Sequence, residues 1–469
     1  MSLWQPWLER DPNQVALNHA GQTLTWQALD SQVAHYAKAL REQGVRSGEV
    51  VTLVGKNHLP TVLWFLACTQ VGALCAFVAP QPLARLQEKL ATLYAEQSPK
   101  HLWLAPSCAL SEEEIAELNA HRLSLPDERD ESVGGEKVSS QFSCEQLATL
   151  IFTSGSTGTP KAVTHTHQQH LASARGLLNK FAFTESDSWL LSLPLYHISG
   201  VAILYRWLAV GATLKIGTGD LQNDIAGVTH ASLVPTQLKR LLDGRSRLTL
   251  KRVLLGGSHI PVELAQMAAT RGIDTWLGYG MTEAASTVTA KRVDGLAGNG
   301  ELLDHRELRL VDGRIFIAGK TLAQGYYRQG QLVPLTNEQG WFDSKDLGRW
   351  QGNNLLIDGR ADNLFISGGE NVHCEEIEAV LNQHPHVQVA IVIPVQDSEF
   401  GARPVAVIRS EAEWCQAIGD TWCQGKLEKF KWPIMYFLLP DALLDGGIKV
   451  SRAAVKAWLA ANQTQFTPL

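Results

Sequence analysis

The chain has 469 residues, too many for one ordinary hydrophobic core, so two or three domains are expected. Apolar residues make up 45% and charged residues 19%, a globular balance that excludes a disordered chain. The net charge of -6 argues against coating a polyanion, which takes clustered Lys and Arg, yet leaves room for a pocket that binds a small anion.

The cysteines Cys68, Cys75, Cys108, Cys144, Cys374, Cys415 and Cys423 form no CxxC pair, which points to reduced thiols in a cytosolic protein. The opening MSLWQPWLERDPNQ has neither the basic start nor the apolar run of a signal peptide. The most apolar stretch, 62–79, is interrupted by Thr69, Gln70 and Gly72, so it divides into a buried helix and a strand. A soluble, cytoplasmic protein follows, with no membrane span and no nucleic-acid partner; a homo-oligomer is left open.

In chain order, 50–55 is a predicted strand, 60–71 a helix and 73–79 a strand, which is βαβ order. Residues 111–143, rich in Glu, Asp, Ser and Gly, suggest a surface connection. The alternation returns with a strand at 189–192, a helix at 199–208 and strands at 213–216, 232–234 and 253–255. Such alternation implies sheets covered by helices, an α/β class. Short strands and tight turns follow at 307–310, 313–318 and 355–358. Beyond Arg360 a small α+β segment is expected, with a helix at 375–383, a strand at 388–394 and a last helix from 451. The main boundary falls near 358–362.

Four local patterns carry chemistry. The first runs Thr153, Ser154, Gly155, Ser156, Thr157, Gly158, Thr159, Pro160, Lys161, after an apolar strand at 148–152 and before a polar, His-rich segment. Glycines let backbone approach phosphate oxygens, hydroxyls donate to them and Lys161 adds charge. The spacing is not that of a Walker loop, and read alone it is equally a flexible loop. The second is Gly278, Tyr279, Gly280, Met281, Thr282, Glu283: a ring for a purine, a hydroxyl for a phosphate and an oxygen ligand suited to magnesium. The third places Asp346 and Arg360 where they could meet ribose or phosphate oxygens. The fourth puts Lys449 after Gly446, Gly447 and Ile448, a lysine on a glycine-flanked loop. Singly, each reads as well as a solvated turn.

In this order the four patterns resemble the adenylate-forming superfamily of acyl-CoA synthetases, adenylation domains and beetle luciferases, over nearly the whole chain from Trp26 to Lys449. Within it, Leu193–Gly200, Thr229–Gln237, Ala285–Val288, Ser367–Asn371 and Gly446–Arg452 are similar to the o-succinylbenzoate–CoA ligases of menaquinone biosynthesis. One departure is Ile448, which stands where the superfamily usually places Gly directly before the lysine.

The resemblance implies a large N-terminal domain (1–358) of helix-covered sheets with a small β-barrel-like subdomain. A hinge (359–362) centred on Asp362 and a mobile α+β lid (363–469) would follow. It implies ATP, magnesium and coenzyme A, and 2-succinylbenzoate as the acid. Thr153–Gly158 and Lys161 would hold phosphates, with Gly256, Gly257, Ser258, Gly278, Tyr279, Gly280, Asp346 and Arg360 around the nucleotide. Thr282 and Lys449 would serve adenylation and Glu283 would bind the metal. His197, Ser199, Gly200, Ser286, Thr287 and Val288 would form the acyl pocket, with His197 also offered as a catalytic group. Ser367, Gly368 and Gly369 would face the thiol. Arg206 and Lys291 are further candidates for the second carboxylate, although a solvated side chain is the plainer expectation for both. A non-catalytic acyl-adenylate binder, a sister aryl-CoA ligase and a carrier-protein acceptor remain alternatives.

Overall fold

The computed structural model describes residues 2–126, 142–153, 160–244, 247–256, 260–445 and 449–462. Two large sheets dominate. The first has eight strands in the order Gln331–Val333, Gly325–Arg328, Lys161–Thr166, Leu147–Thr153, Leu74–Val78, Val50–Val54, His101–Leu104, His121–Arg122. The second has nine, in the order Glu301–Leu302, Ser286–Arg292, Asp274–Met281, Arg252–Leu255, His230–Leu233, Ser188–Leu191, Thr213–Ile216, Val15–His19, Gln22–Thr25. The middle strands of each pair in parallel, as does the His121–Arg122 edge, and the other flanking strands pair antiparallel.

Residues of both sheets share the largest core with three helices, Trp26–Glu42, Leu59–Val71 and Ile198–Val210. Leu59–Val71 is apolar on every side, and such a helix must be enclosed. Pro60 fits its first turn, and Gly72, at φ +78°, ends it in the left-handed conformation. Trp26 and Trp207 stack with centroids 5.4 Å apart, clamping the first helix to the third. Truncating Trp207 to Ala would cost about 3–5 kcal/mol by opening that core.

The strands Arg306–Val311, Arg314–Gly319, Phe342–Gln351 and Asn354–Arg360 form an antiparallel sheet over Ile315, Ile317, Phe342 and Leu355. After the turn Ala361–Asn363 comes a further sheet: Glu370–His373, Leu364–Ser367, Gly401–Ser410, Val387–Asp397, with Tyr436–Leu438 beside Gly401–Ser410. Along Gly401–Ser410 the side chains alternate. Ala406 and Ile408 meet the Cys374–Leu381 helix, whereas Val405 and Val407 meet the Arg452–Asn462 helix.

The expected elements at 50–55, 60–71, 73–79, 213–216 and 388–394 all have counterparts. The helices Trp26–Glu42 and Leu83–Leu93 were not anticipated. Within the expected connection at 111–143, Ser111 and Glu114 form a capping box that starts the Glu112–Glu117 helix. Among the described residues no helix is long and apolar enough to cross a membrane.

Candidate active site

The Leu147–Thr153 and Lys161–Thr166 strands form a hairpin in which Thr153 faces Lys161. Ser154, Gly155, Ser156, Thr157 and Gly158 lie outside the described residues, as do Gly257 and Ser258. The Lys161 ammonium sits 5.3 Å from the Tyr326 ring centroid, a cation–π contact. The Tyr326 hydroxyl donates to Glu283 Oε1 at 3.3 Å. Lys161 and Glu283 are thereby joined through one tyrosine.

Glu283 belongs to the turn Thr282–Ala284 that follows the Asp274–Met281 strand. That strand pairs with Ser286–Arg292 so closely that glycine is required at two positions. A Cβ at Gly278 would lie 2.5 Å from the Thr289 carbonyl, and one at Gly280 would lie 2.0 Å from the Ser286 carbonyl. Between them the Tyr279 hydroxyl donates to Asp346 Oδ2 at 2.5 Å. Arg360 donates to Asp346 Oδ1 at 3.1 Å and reaches Asp362 from Nε at 2.9 Å. Burial pushes the Glu283 and Asp346 carboxyls above their ordinary values. Glu283 feels both Arg360 and Asp346, so these groups form one electrostatic row. Buried carboxylates beside tyrosine hydroxyls and a guanidinium suit ribose hydroxyls and a hard cation.

Among the residues expected to form the acyl pocket, His197 precedes the Ile198–Val210 helix, and Ser199 and Gly200 occupy its first turn. A Cβ at Gly200 would meet the Pro194 carbonyl at 2.1 Å. The hydroxyls of Ser286 and Thr287 are buried and 3.4 Å apart. Val288 is fully buried beside Ala284, Ile315 and Ile317, a packing position in the core of the small sheet. Gly256 ends the Arg252–Leu255 strand.

Two expectations are corrected here. Arg206 is not solvated: it is 2% exposed, its guanidinium lies 5.1 Å from the Trp189 ring centroid, and its Nε has no partner among the described residues. Burial, and then the Arg306 charge, lowers it to about 9, so it stays cationic at neutral pH. Lys291 is not solvated either: its ammonium bonds Asp294 at 2.7 Å and the Leu296 carbonyl at 2.8 Å. It fastens a loop. The His-rich segment expected to be polar is interior as well. His165, His167 and His170 are buried; His170 bonds Thr149 at 2.7 Å, and His167 bonds the Tyr205 hydroxyl at 2.8 Å.

Toward the C-terminus, Lys449 starts the short strand Lys449–Val450, paired with Leu444–Asp445. Its side chain lies outside the described residues. Arg452, which starts the next helix, anchors this segment by pairing with Glu375 at 2.9 Å and with Glu378. Ser367 is buried, and Gly368 and Gly369 turn at φ +60° and +90°, with the Gly368 amide donating to the Phe400 carbonyl.

Residues 4–327 match the family model described as AMP-binding enzyme. The chain belongs to the AMP-binding enzyme family. It is 42% identical over 464 residues to the 2-succinylbenzoate–CoA ligase of Salmonella typhimurium, covering 98% of each chain. A solved E. coli MenE with an arginine-to-lysine substitution and bound OSB-AMS is 40% identical, with a TM-score of 0.84 over 97% of this chain and 98% of that one. The O-succinylbenzoate coenzyme A synthetase of Bacillus subtilis, in complex with ATP and a magnesium ion, is 26% identical, with a TM-score of 0.81 over 93% and 95%.

In this member of the AMP-binding family, Tyr326 bonds Glu283 while Ser173 and Arg306 bond the Ala285 and Thr287 carbonyls, and none of the three was singled out from the sequence. Tyr326 had a local signal, an aromatic after Gly325 in an otherwise polar stretch. Ser173 and Arg306 had none, since they meet only in the fold across 133 residues.

Proposed function

We propose that the chain adenylates the succinyl carboxylate of 2-succinylbenzoate with ATP and passes the acyl group to coenzyme A, in menaquinone biosynthesis. It is an AMP-forming acid–thiol ligase. The observation that carries the reading is the row Lys161–Tyr326–Glu283 beside Tyr279–Asp346–Arg360, set against a buried Arg206 with an unpartnered nitrogen.

In the first step a carboxylate oxygen attacks the α-phosphorus of ATP; that O–P bond forms as the bond to pyrophosphate breaks. Residues 153–158 and Lys161 hold the departing phosphates, Thr282 meets the α-phosphate, and Asp346 with Arg360 takes the ribose. Magnesium, when bound, offsets phosphate charge, and Glu283 is the oxygen ligand that would hold it. Lys449 adds positive charge where it develops. 2-Succinylbenzoate has a second carboxylate, and Arg206 with Ser286 and Thr287 supplies a buried cation and two hydroxyls to hold it.

In the second step residues 363–469 swing about Asp362, withdrawing Lys449 and presenting Ser367, Gly368 and Gly369 to the thiol. The thiolate sulfur attacks the acyl carbon, the acyl–phosphate bond breaks, and AMP leaves. The test is pyrophosphate release with ATP and magnesium across a panel of acids, with and without coenzyme A. A response to 2-succinylbenzoate far above benzoate, fatty acids and amino acids, with a CoA thioester as product, is expected. Silence across the panel would refute the ligase reading.

A further inference from the structure

Ala285 and Ser286 lie at φ +52° and +93°, left-handed conformations that strain a non-glycine residue. Strain of this kind persists only where the surroundings hold the backbone on both sides. A buried pair does so here. The Ser173 hydroxyl, on the His167–Leu178 helix, donates to the Ala285 carbonyl at 2.5 Å. Arg306, at the start of the Arg306–Val311 strand, donates from Nε to the Thr287 carbonyl at 3.0 Å.

The same guanidinium returns to the helix. Its Nη2 donates to the Ser173 carbonyl at 3.0 Å and to Ser173 Oγ at 2.9 Å, and its Nη1 donates to the Asp304 carbonyl at 2.7 Å. Space for it is left by Gly176, where a Cβ would lie 2.1 Å from Nη1. Arg306 is 5% exposed, and each of these acceptors is neutral. A lone buried charge is costly, and this one is offset by a full set of hydrogen bonds. Arg206 lies close enough to feel the Arg306 charge, but the two differ in use. Arg306 spends its donors on backbone, whereas Arg206 Nε has no partner among the described residues.

We propose that Ser173 and Arg306 are positioning residues that fix the 285–287 backbone, and so aim Ser286 and Thr287 at the acid. This rests on the assignment of Ser286 and Thr287 to the acyl pocket. Neither brace residue touches the substrate. Their effect is read first in how well the acid is held, because the side chains of the nucleotide row are fixed by Tyr326, Tyr279 and Arg360 instead.

The test measures KM for 2-succinylbenzoate and KM for ATP in Ser173→Ala, Arg306→Lys and Thr287→Val, with thermal unfolding of each as a folding control. Lysine keeps the charge but cannot span three backbone acceptors. Arg306→Lys should raise KM for the acid roughly tenfold, and Ser173→Ala about threefold, while KM for ATP stays within about twofold. If Arg306→Lys does not fold, Ser173→Ala, which deletes one hydroxyl, decides alone. A silent Ser173→Ala beside a responsive Thr287→Val overturns the brace and leaves the pocket standing. Silence in both overturns the brace together with the pocket assignment. Equal rises in the two KM values also overturn it, since a general loosening of the fold would do the same.

Discussion

The proposed nucleotide side and the proposed acyl side of the site handle buried charge in opposite ways. On the nucleotide side the protein supplies its own partners: Asp346 has Tyr279 and Arg360, Arg360 has Asp362, and Glu283 has Tyr326. On the acyl side Arg206 is buried against Trp189 with no carboxylate of its own in contact among the described residues and an unpartnered Nε. Groups that are already paired can exchange partners at modest cost when ATP arrives. An unmatched buried cation is instead a standing deficit that an anionic substrate relieves. On the proposed assignment, the paired side sets affinity for the nucleotide and the unmatched cation selects the acid.

The largest effect should come from Lys449→Ala. Adenylate formation should fall by about 10²–10³, with transfer from preformed acyl-adenylate intact, as rapid-quench assays of the two half-reactions would show. Equal loss in both steps would break the assignment of Lys449 to the first. Next, Asp346→Asn should raise KM for ATP by roughly thirtyfold and leave KM for the acid nearly unchanged, which sharpens the independence of the two sides. A matched rise for the acid would contradict it. A smaller change is expected from Tyr326→Phe, which keeps the ring under Lys161 but removes the bond to Glu283. The magnesium concentration for half-maximal rate should rise about threefold.

The smallest effect concerns stability. Burial lowers His165 and His167 to about 3, well under the ordinary value near 6.5. Between those limits the unfolded chain takes up protons that the folded chain refuses. Stability is therefore full above about pH 6.5 and declines as the pH falls toward 3. In His167→Gln, the slope of unfolding free energy against pH between 6 and 4 should shrink by up to about 1.4 kcal/mol per pH unit. Denaturant unfolding across that range measures it, and an unchanged slope would show that His167 is not protonated on unfolding.

Much of the fold was legible because periodicity and punctuation agreed. The Leu59–Val71 helix stood out as an apolar run between Pro60 and Gly72, and Thr213–Ile216 as a bounded β-rich run. The Trp26–Glu42 helix was equally legible in principle, since Trp26, Leu29, Val33, Ala37 and Leu40 recur at helical spacing and are its buried face. The burial of Arg206 also left a trace: it is the single charged residue in an otherwise apolar helix, Ile198–Val210. Such a residue has no polar face to share, so solvation was the poorer reading. The buried histidines could not be read locally, because their enclosure depends on Tyr205 and Thr149 from other elements. The Ser173–Arg306 pair was invisible for the same reason.

The central claim, that a buried cation selects a dicarboxylic acid at an adenylating site, is tested most directly with Arg206→Met. The measurement is adenylation kcat/KM for 2-succinylbenzoate and for 3-benzoylpropionate, which lacks the ring carboxylate. The wild-type preference for the dicarboxylic acid should collapse in the variant by roughly a hundredfold, with KM for ATP unchanged. A preference that survives the substitution intact would contradict the account.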